Sequence, residues 1–218
     1  MGELVKVYRM WSCPLSWRVE LALKIKGIDS EIIDEDLKNK SDQLIKYNPI
    51  HKKIPVLVHD GKPVVESLVI LEYIDEIWKG NALLPSDSYE RAQARLWANF
   101  IDEKIFPATR KVGFSRGDDV EKAKEELDEV LEIFEKGIEG KRLFEGNKIG
   151  YLDIVALLVC FWIPVMQEAL EREVLTREKF PRIYAWSDGL LGQPIIKENL
   201  PKREDFLAFY RVHFGRSS

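Results

Sequence analysis

Six residues, Gly80 to Pro85, divide this sequence into two parts with different periodicities. Gly, Asn and Pro fall together there, as in a linker. Before it, strand and helix signals alternate. Leu4 to Tyr8 is a short apolar run rich in valine, broken only by Lys6, as a strand would be. Pro14 can open a helix. Leu15, Val19, Ala22 and Leu23 then follow helical spacing, and Gly27 ends the segment. Ser30 to Asp36 holds the β-branched pair Ile32-Ile33. Ile54 to Val58, the turn dipeptide Asp60-Gly61 and Pro63 to Val65 read as a hairpin. Glu66-Ser67 leads into a helix with Ile70, Leu71, Ile74, Ile77 and Trp78 on one face. The order β-α-β, then β-β-α, predicts a small mixed sheet with covering helices.

After the linker the strand signals vanish. Asp87 with Glu90 suits a capping-box start for a long helix through Phe106. Asp118 to Glu139 is highly charged, yet Ala123, Leu127, Val130, Leu131, Phe134 and Ile138 form an apolar stripe, so its charges are a solvated face. Asp153 opens an apolar run ending near Met166, and Phe180 to Leu191 reads as a helix. The expected division is residues 1–79 as a mixed α/β domain, 80–87 as linker and 88–218 as an all-helical domain.

Composition narrows the function classes. The net charge is -4 and the pI is near 5.6. The basic residues are scattered, which argues against a nucleic-acid footprint. Two cysteines and three histidines are too few and too widely spaced for a disulfide framework or a structural zinc site, so no metal is expected. The longest uncharged run, Ile154 to Gln167, is fourteen residues with Pro164 inside it. That is short of the roughly 20 a bilayer span needs, so a buried helix and no membrane association are expected. The N-terminal stretch lacks the apolar core of a signal peptide, Lys6 sits where a Met1-Gly2 myristoylation signal needs Ser or Thr, and a reducing, cytoplasmic setting is expected.

Three features of the first part converge on one kind of ligand. Cys13-Pro14-Leu15-Ser16 sits at a strand-to-helix turn, where a helix N-terminus favours an anion. A thiol so placed can have its pKa lowered to roughly 3.5–7.5. Lys53-Ile54-Pro55 precedes a strand; a cis proline there would leave the Ile54 backbone to pair with an extended peptide. Glu66-Ser67 opens another helix, whose N–H groups and hydroxyl suit a carboxylate while Glu66 suits an ammonium. A peptide with both termini and a thiol would use all three. Each feature also has a plainer reading: solvated lysines, an ordinary helix cap, and a small apolar cysteine. Cys160, inside an apolar helix, reads as core packing.

The stretches WSCPLSWRVELALKIKGI, NKSDQLIKYNPIHKKIPVLVHDGKPVVESLVILEYIDE, LLPSDSYERAQARLWANFID and FPRIYAWSDGLLGQPIIKENLP, in this order and spacing, resemble the glutathione transferases, most closely the plant tau class. The resemblance covers nearly the whole chain. It implies a thioredoxin-like N-terminal domain, an all-helical C-terminal domain, glutathione as co-substrate and a homodimer. By motif, Lys40 and Lys53 would hold the glycyl carboxylate of glutathione, and Ile54 would pair through its backbone with the cysteinyl unit. Glu66 and Ser67 would bind the γ-glutamyl end. The family's hydrophobic acceptor site lies between the domains, with Trp11, Leu15, Phe106, Arg110, Trp162 and Phe209 as candidates; for each aromatic, core packing is the competing reading.

One position departs from the tau pattern. The family has a serine followed by Pro-Phe, and its hydroxyl donates a hydrogen bond to the glutathione sulfur. This chain has Cys13, with Leu15 in place of the Phe; Ser12 is one residue off register and is the second candidate. A thiol is a poorer donor than a hydroxyl, and a thiolate donates nothing. A low-pKa cysteine is suited instead to a mixed disulfide with glutathione. Cys-Pro-x-Ser also resembles the monothiol site of glutaredoxins and of the cysteine-type transferases. Thiol transfer or dehydroascorbate reduction through Cys13 is the first expectation. Conjugation of glutathione to hydrophobic electrophiles, or ligand binding without turnover, are the alternatives.

Overall fold

The computed structural model describes residues 4–139 and 148–214; the Met1-Gly2 terminus lies outside them. The chain divides into two units between Ser86 and Asp87. Residues 80–86, expected as linker, therefore fall within the first.

In the first unit, short runs rich in valine or isoleucine form strands β1 (Val5–Arg9), β2 (Glu31–Asp34), β3 (Val56–His59) and β4 (Lys62–Val65). They make one mixed sheet in the order β2-β1-β3-β4. β1 is parallel to β2 and antiparallel to β3, and β3 is antiparallel to β4. Residue alternation separates the two faces. Val7 lies opposite Leu57, and both are fully buried. Tyr8, Val56 and Val58 cluster with Leu44 on the other face.

Helix α1 (Pro14–Lys26) begins on Pro14, whose missing N–H is harmless in a first turn. It ends on Gly27 in the left-handed region, φ 69°, where a Cβ would be strained. A short helix, α2 (Asp42–Tyr47), is capped by Ser41, which accepts from the Leu44 N–H at 3.1 Å. It carries Leu44 and Tyr47 onto the sheet, the latter ring 5.6 Å from Tyr8. The sequence order expected here, β-α-β then β-β-α, lacks this element: six residues are too few to display a helical period. Helix α3 (Ser67–Ile77) buries Ile70, Leu71 and Ile74, whereas Ile77, expected on the same face, is 44% exposed at the last turn. α1 and α3 pack on each other and on β1 and β3 respectively. This is the thioredoxin-like arrangement.

All regular structure described in the second unit is helical. α4 (Ser88–Phe100) starts on Asp87, which accepts from the Glu90 N–H at 2.9 Å. It continues through a π turn, Ile101–Ile105, into α5 (Phe106–Phe114). α6 (Asp119–Gly137) buries Ala123, Leu127, Leu131 and Phe134, most of the predicted stripe. α7 (Tyr151–Leu157), a second π turn (Leu158–Trp162) and α8 (Ile163–Leu170) form another continuous run. By length and composition alone Tyr151–Leu170 is long enough to cross a membrane. It is nevertheless core, with Ile154, Val155, Val159 and Trp162 at most 1% exposed. Asp153 does not open the run; it sits at its third position and accepts from the Gly150 N–H at 2.8 Å. α9 (Pro181–Leu191), α10 (Pro194–Asn199) and α11 (Arg203–His213) complete the unit.

The helical runs extend past Pro107, where the expected first helix stops, and through Pro164, and the π turns show why. Each π turn closes two residues before a proline, Pro107 and Pro164. A helical proline lacks the N–H for its own bond and its ring crowds the carbonyl four residues back. A widened turn just upstream relieves both defects without ending the helix.

Candidate functional site

The turn from β1 to α1 is tied by the Cys13 N–H, which donates to the Met10 carbonyl at 3.0 Å. Cys13 is the N-cap of α1, with extended backbone, and its carbonyl accepts from the N–H groups of Ser16 and Trp17. The thiol is partly buried. Burial pushes it up, above the ordinary thiol range. The N–H groups of Ser16 and Leu15, the Ser16 hydroxyl and the charge of Arg18 pull the other way without reversing the direction. None of these donors has the short geometry of a helix cap. The expectation of a lowered pKa is therefore corrected: at this helix N-terminus, desolvation outweighs the dipole. Ser12 beside it is 5% exposed, and its hydroxyl has no hydrogen-bond partner among the described residues.

Arg18 connects this turn to the second ligand feature. It lies on the inner face of α1, only 2% exposed. Its guanidinium donates to the Ser67 hydroxyl at 3.2 Å, across 49 positions of chain. With its oxygen accepting from Arg18, the hydroxyl retains a proton of its own to donate. Ser67 is 6% exposed at the start of α3. Glu66 before it is exposed and holds φ at 67°, a conformation costly for a side chain with a Cβ. Its carboxylate makes no capping bond to α3, so the ordinary-cap reading does not describe it. It faces His51 instead, with Nε2 3.7 Å from Oε1.

His51 leads on to the third feature. The His51 N–H donates to Asn48 Oδ1 at 3.1 Å, and Asn48 Nδ2 donates to the Lys53 carbonyl at 3.0 Å. Asn48, 2% exposed, thus organises the loop that presents Lys53 and Ile54. The Ile54-Pro55 bond is cis. Lys40 closes the circuit by donating Nζ to the Lys52 carbonyl at 2.8 Å. Its own segment is held by Glu35, which accepts from the N–H and hydroxyl of Ser41 at 3.0 and 2.5 Å. Cys13, Lys40, Lys53, Glu66 and Ser67 are therefore linked through one chain of interactions. Arg18, Asn48, His51 and Glu35 make the links and escape sequence reading. A lone Arg at helical spacing from Leu15 and Ala22 is the sole signal among them.

The remaining candidates lie as follows. Trp11 is 37% exposed and Leu15 partly buried. In the second unit the Arg110 guanidinium lies 5.9 and 5.5 Å from the Phe106 and Phe114 rings. Phe209 on α11 stacks on His213 at 4.2 Å. Trp162 is 1% exposed and packs edge-on against Phe161 and Phe206, which is the core-packing alternative. Cys160 is likewise core, its thiol pushed up to about 12 by burial.

Comparison with known proteins bears on this geometry. Residues 3–76 match the family profile for the glutathione S-transferase N-terminal domain, and residues 96–194 that for the C-terminal domain. A probable glutathione S-transferase of Glycine max is 45% identical over 213 residues, covering 97% of this chain and 95% of that one. The structure of a Tau class glutathione S-transferase from mango, Mangifera indica, superposes with a TM-score of 0.85 at 37% identity, covering 95% of this chain and 97% of that one. Rice GST1, solved in complex with glutathione, superposes with a TM-score of 0.87 at 31% identity over 100% and 99% of the two chains.

Proposed function

The chain belongs to the glutathione S-transferase family, among its tau-class members, and from that premise we propose that it is a glutathione-dependent thiol transferase working through Cys13. The observation that carries this reading is the placement of Cys13 as the N-cap of α1, on the helix whose Arg18 reaches Ser67. Burial raises the thiol, and the Ser16 and Leu15 N–H groups, the Ser16 hydroxyl and the Arg18 charge offset only part of that. Lys40 and Lys53 hold the glycyl carboxylate of glutathione, the Ile54 backbone pairs with the cysteinyl unit, and Glu66 and Ser67 take the γ-glutamyl end. The Cys13 thiolate attacks the glutathione sulfur of a mixed disulfide. A Cys13–glutathione disulfide forms, and the partner thiolate leaves and takes up a proton. A second glutathione thiolate attacks the glutathione sulfur of that adduct, so oxidised glutathione leaves and the Cys13 thiolate returns. Because burial raises the thiol, the thiolate is a minority at neutral pH, and the rate climbs with pH through a value above the ordinary thiol range.

The same burial favours a second reading. A Cys13 that keeps its proton can donate to a glutathione thiolate, as serine does, and no longer repels it. Conjugation to a hydrophobic electrophile then proceeds, with Trp11, Leu15, Phe106, Arg110 and Phe209 as the acceptor-facing candidates. The protein acts as a cytoplasmic homodimer in either reading.

Parallel assays of the wild type and Cys13→Ser decide between them. Thiol transfer predicts that the swap abolishes disulfide exchange, raises conjugation of a chlorinated nitroaromatic, and removes a glutathione adduct found on Cys13 by mass spectrometry. A swap that leaves both rates unchanged takes Cys13 out of the chemistry.

A further inference from the structure

We propose that His51 is a positioning residue for the γ-glutamyl end of glutathione: its imidazolium, once protonated, competes with the ligand ammonium for Glu66. This rests on the reading that Glu66 binds that ammonium.

Two observations place the pair. His51 Nε2 stands 3.7 Å from Glu66 Oε1, an ion-pair distance rather than a short hydrogen bond. Neither partner is placed at random. The His51 backbone is fixed by the buried Asn48, whose amide also holds the Lys53 carbonyl. Glu66 is held at φ 67° by the start of α3, leaving its carboxylate directed away from any cap of its own helix. The charged groups that share this neighbourhood are Lys52 and Lys53 on the loop of His51, Lys40 bonded to the Lys52 carbonyl, and Arg18 of α1 bonded to Ser67 beside Glu66. Lysine and arginine hold their charge across pH 5 to 8, and Cys13, raised by burial, titrates above it. Histidine is the side chain whose ordinary pKa falls inside that window.

The sign follows. With the imidazole neutral, Glu66 offers its full charge to the ligand ammonium. With it protonated, imidazolium and ammonium compete for one carboxylate, and affinity falls by about two- to fivefold, the scale of one exposed ion pair. A ligand without the ammonium gains nothing from Glu66 and has nothing to lose.

The test measures the dissociation constant of S-methylglutathione, whose sulfur cannot ionise, between pH 5.5 and 8 by calorimetry. The wild type should bind it more weakly at the acid end. His51→Gln should flatten the profile at the tight-binding level. The S-methyl analogue lacking the γ-glutamyl amine should bind the wild type without that acid-side loss. A flat wild-type profile, or a profile that persists in His51→Gln, overturns the proposal. Tighter binding at acid pH also overturns it, because it assigns His51 to the ligand carboxylate instead. If S-methylglutathione fails to bind at any pH, the glutathione site itself is misassigned, and the proposal falls with it. His51 is exposed, so unchanged thermal unfolding of the His51→Gln variant serves as the folding control.

Discussion

At Glu66 the proposed ligand contact and stability pull in opposite directions. A non-glycine residue at φ 67° costs on the order of 1–3 kcal/mol, and this carboxylate returns nothing to its helix as a cap. Glycine relieves the strain but adds about 0.5–1 kcal/mol of chain entropy to be lost on folding. Glu66→Gly should therefore gain about 1 kcal/mol in denaturant unfolding. At the same time its KM for glutathione should rise about tenfold, the equivalent of one charge-assisted contact of about 1.4 kcal/mol. A variant that is no more stable would show that the conformation is relaxed, and an unchanged KM would remove the ammonium from Glu66. The candidates named from sequence were legible as residues at element junctions: Cys13, Lys40, Glu66 and Ser67 lie between a strand and the helix after it, Lys53 and Ile54 between α2 and β3. Arg18 and Asn48 were not. Their roles depend on burial and on partners, Ser67 and Lys53, that only the folded chain supplies.

Element identity was legible wherever a period had room to repeat, as in α1, α3 and α6, and illegible where it did not, as in α2. The ends of elements depend on contacts from elsewhere. The N-terminus of α9 is capped by Glu135 of α6, which accepts from the N–H groups of Arg182 and Ile183 at 2.8 and 2.9 Å. No local cap marks that start. The last turn of α6 is governed by Trp97 of α4: a Cβ on Gly137 would lie 1.8 Å from the indole ring. By helix propensity alone, alanine should improve this position by about 1 kcal/mol. The overlap is with a packed aromatic ring, so the steric term decides, and overpacking of this kind costs about 1–3 kcal/mol. Gly137→Ala should thus lower the unfolding free energy, and Trp97→Leu in the same chain should restore part of the loss. A stabilised Gly137→Ala single variant would mean that the indole moves freely and that propensity prevails.

Across the whole chain, the change of periodicity at Gly80–Pro85 announces two units, but the division falls at Ser86. Asp75 is the reason. Its carboxylate, in α3, accepts from the N–H groups of Leu83 and Leu84 at 2.8 and 3.0 Å and from Lys26 Nζ at 2.7 Å. Lys26, with its side chain 1% exposed, also donates to the Gly80 carbonyl at 2.8 Å. A segment that reads as linker is fastened to the first unit by the hydrogen bonds of this ion pair and by Asn81 Nδ2, which donates to the Ile25 carbonyl at 3.2 Å. Burial alone would raise the Asp75 carboxyl; the Lys26 ammonium and the two N–H donors outweigh it and hold the group below the usual carboxylate range. A depressed carboxyl stabilises the fold above its unfolded pKa of about 3.9, and that contribution is lost as pH falls through the lower folded value. Asp75→Asn leaves the Lys26 charge buried without its counterion, a loss of about 3 kcal/mol at pH 7. The gap between wild type and variant should stay constant from pH 7 to about pH 5, begin to narrow below about pH 4, and close only once the pH has fallen through the lower folded value, where the wild type is itself protonated. Limited proteolysis at neutral pH should cut the variant within residues 80–86 faster than the wild type. A stability gap that does not narrow at all as the pH falls below about 4 would show that the asparagine fails through packing, and that the ion pair is not what fastens the segment.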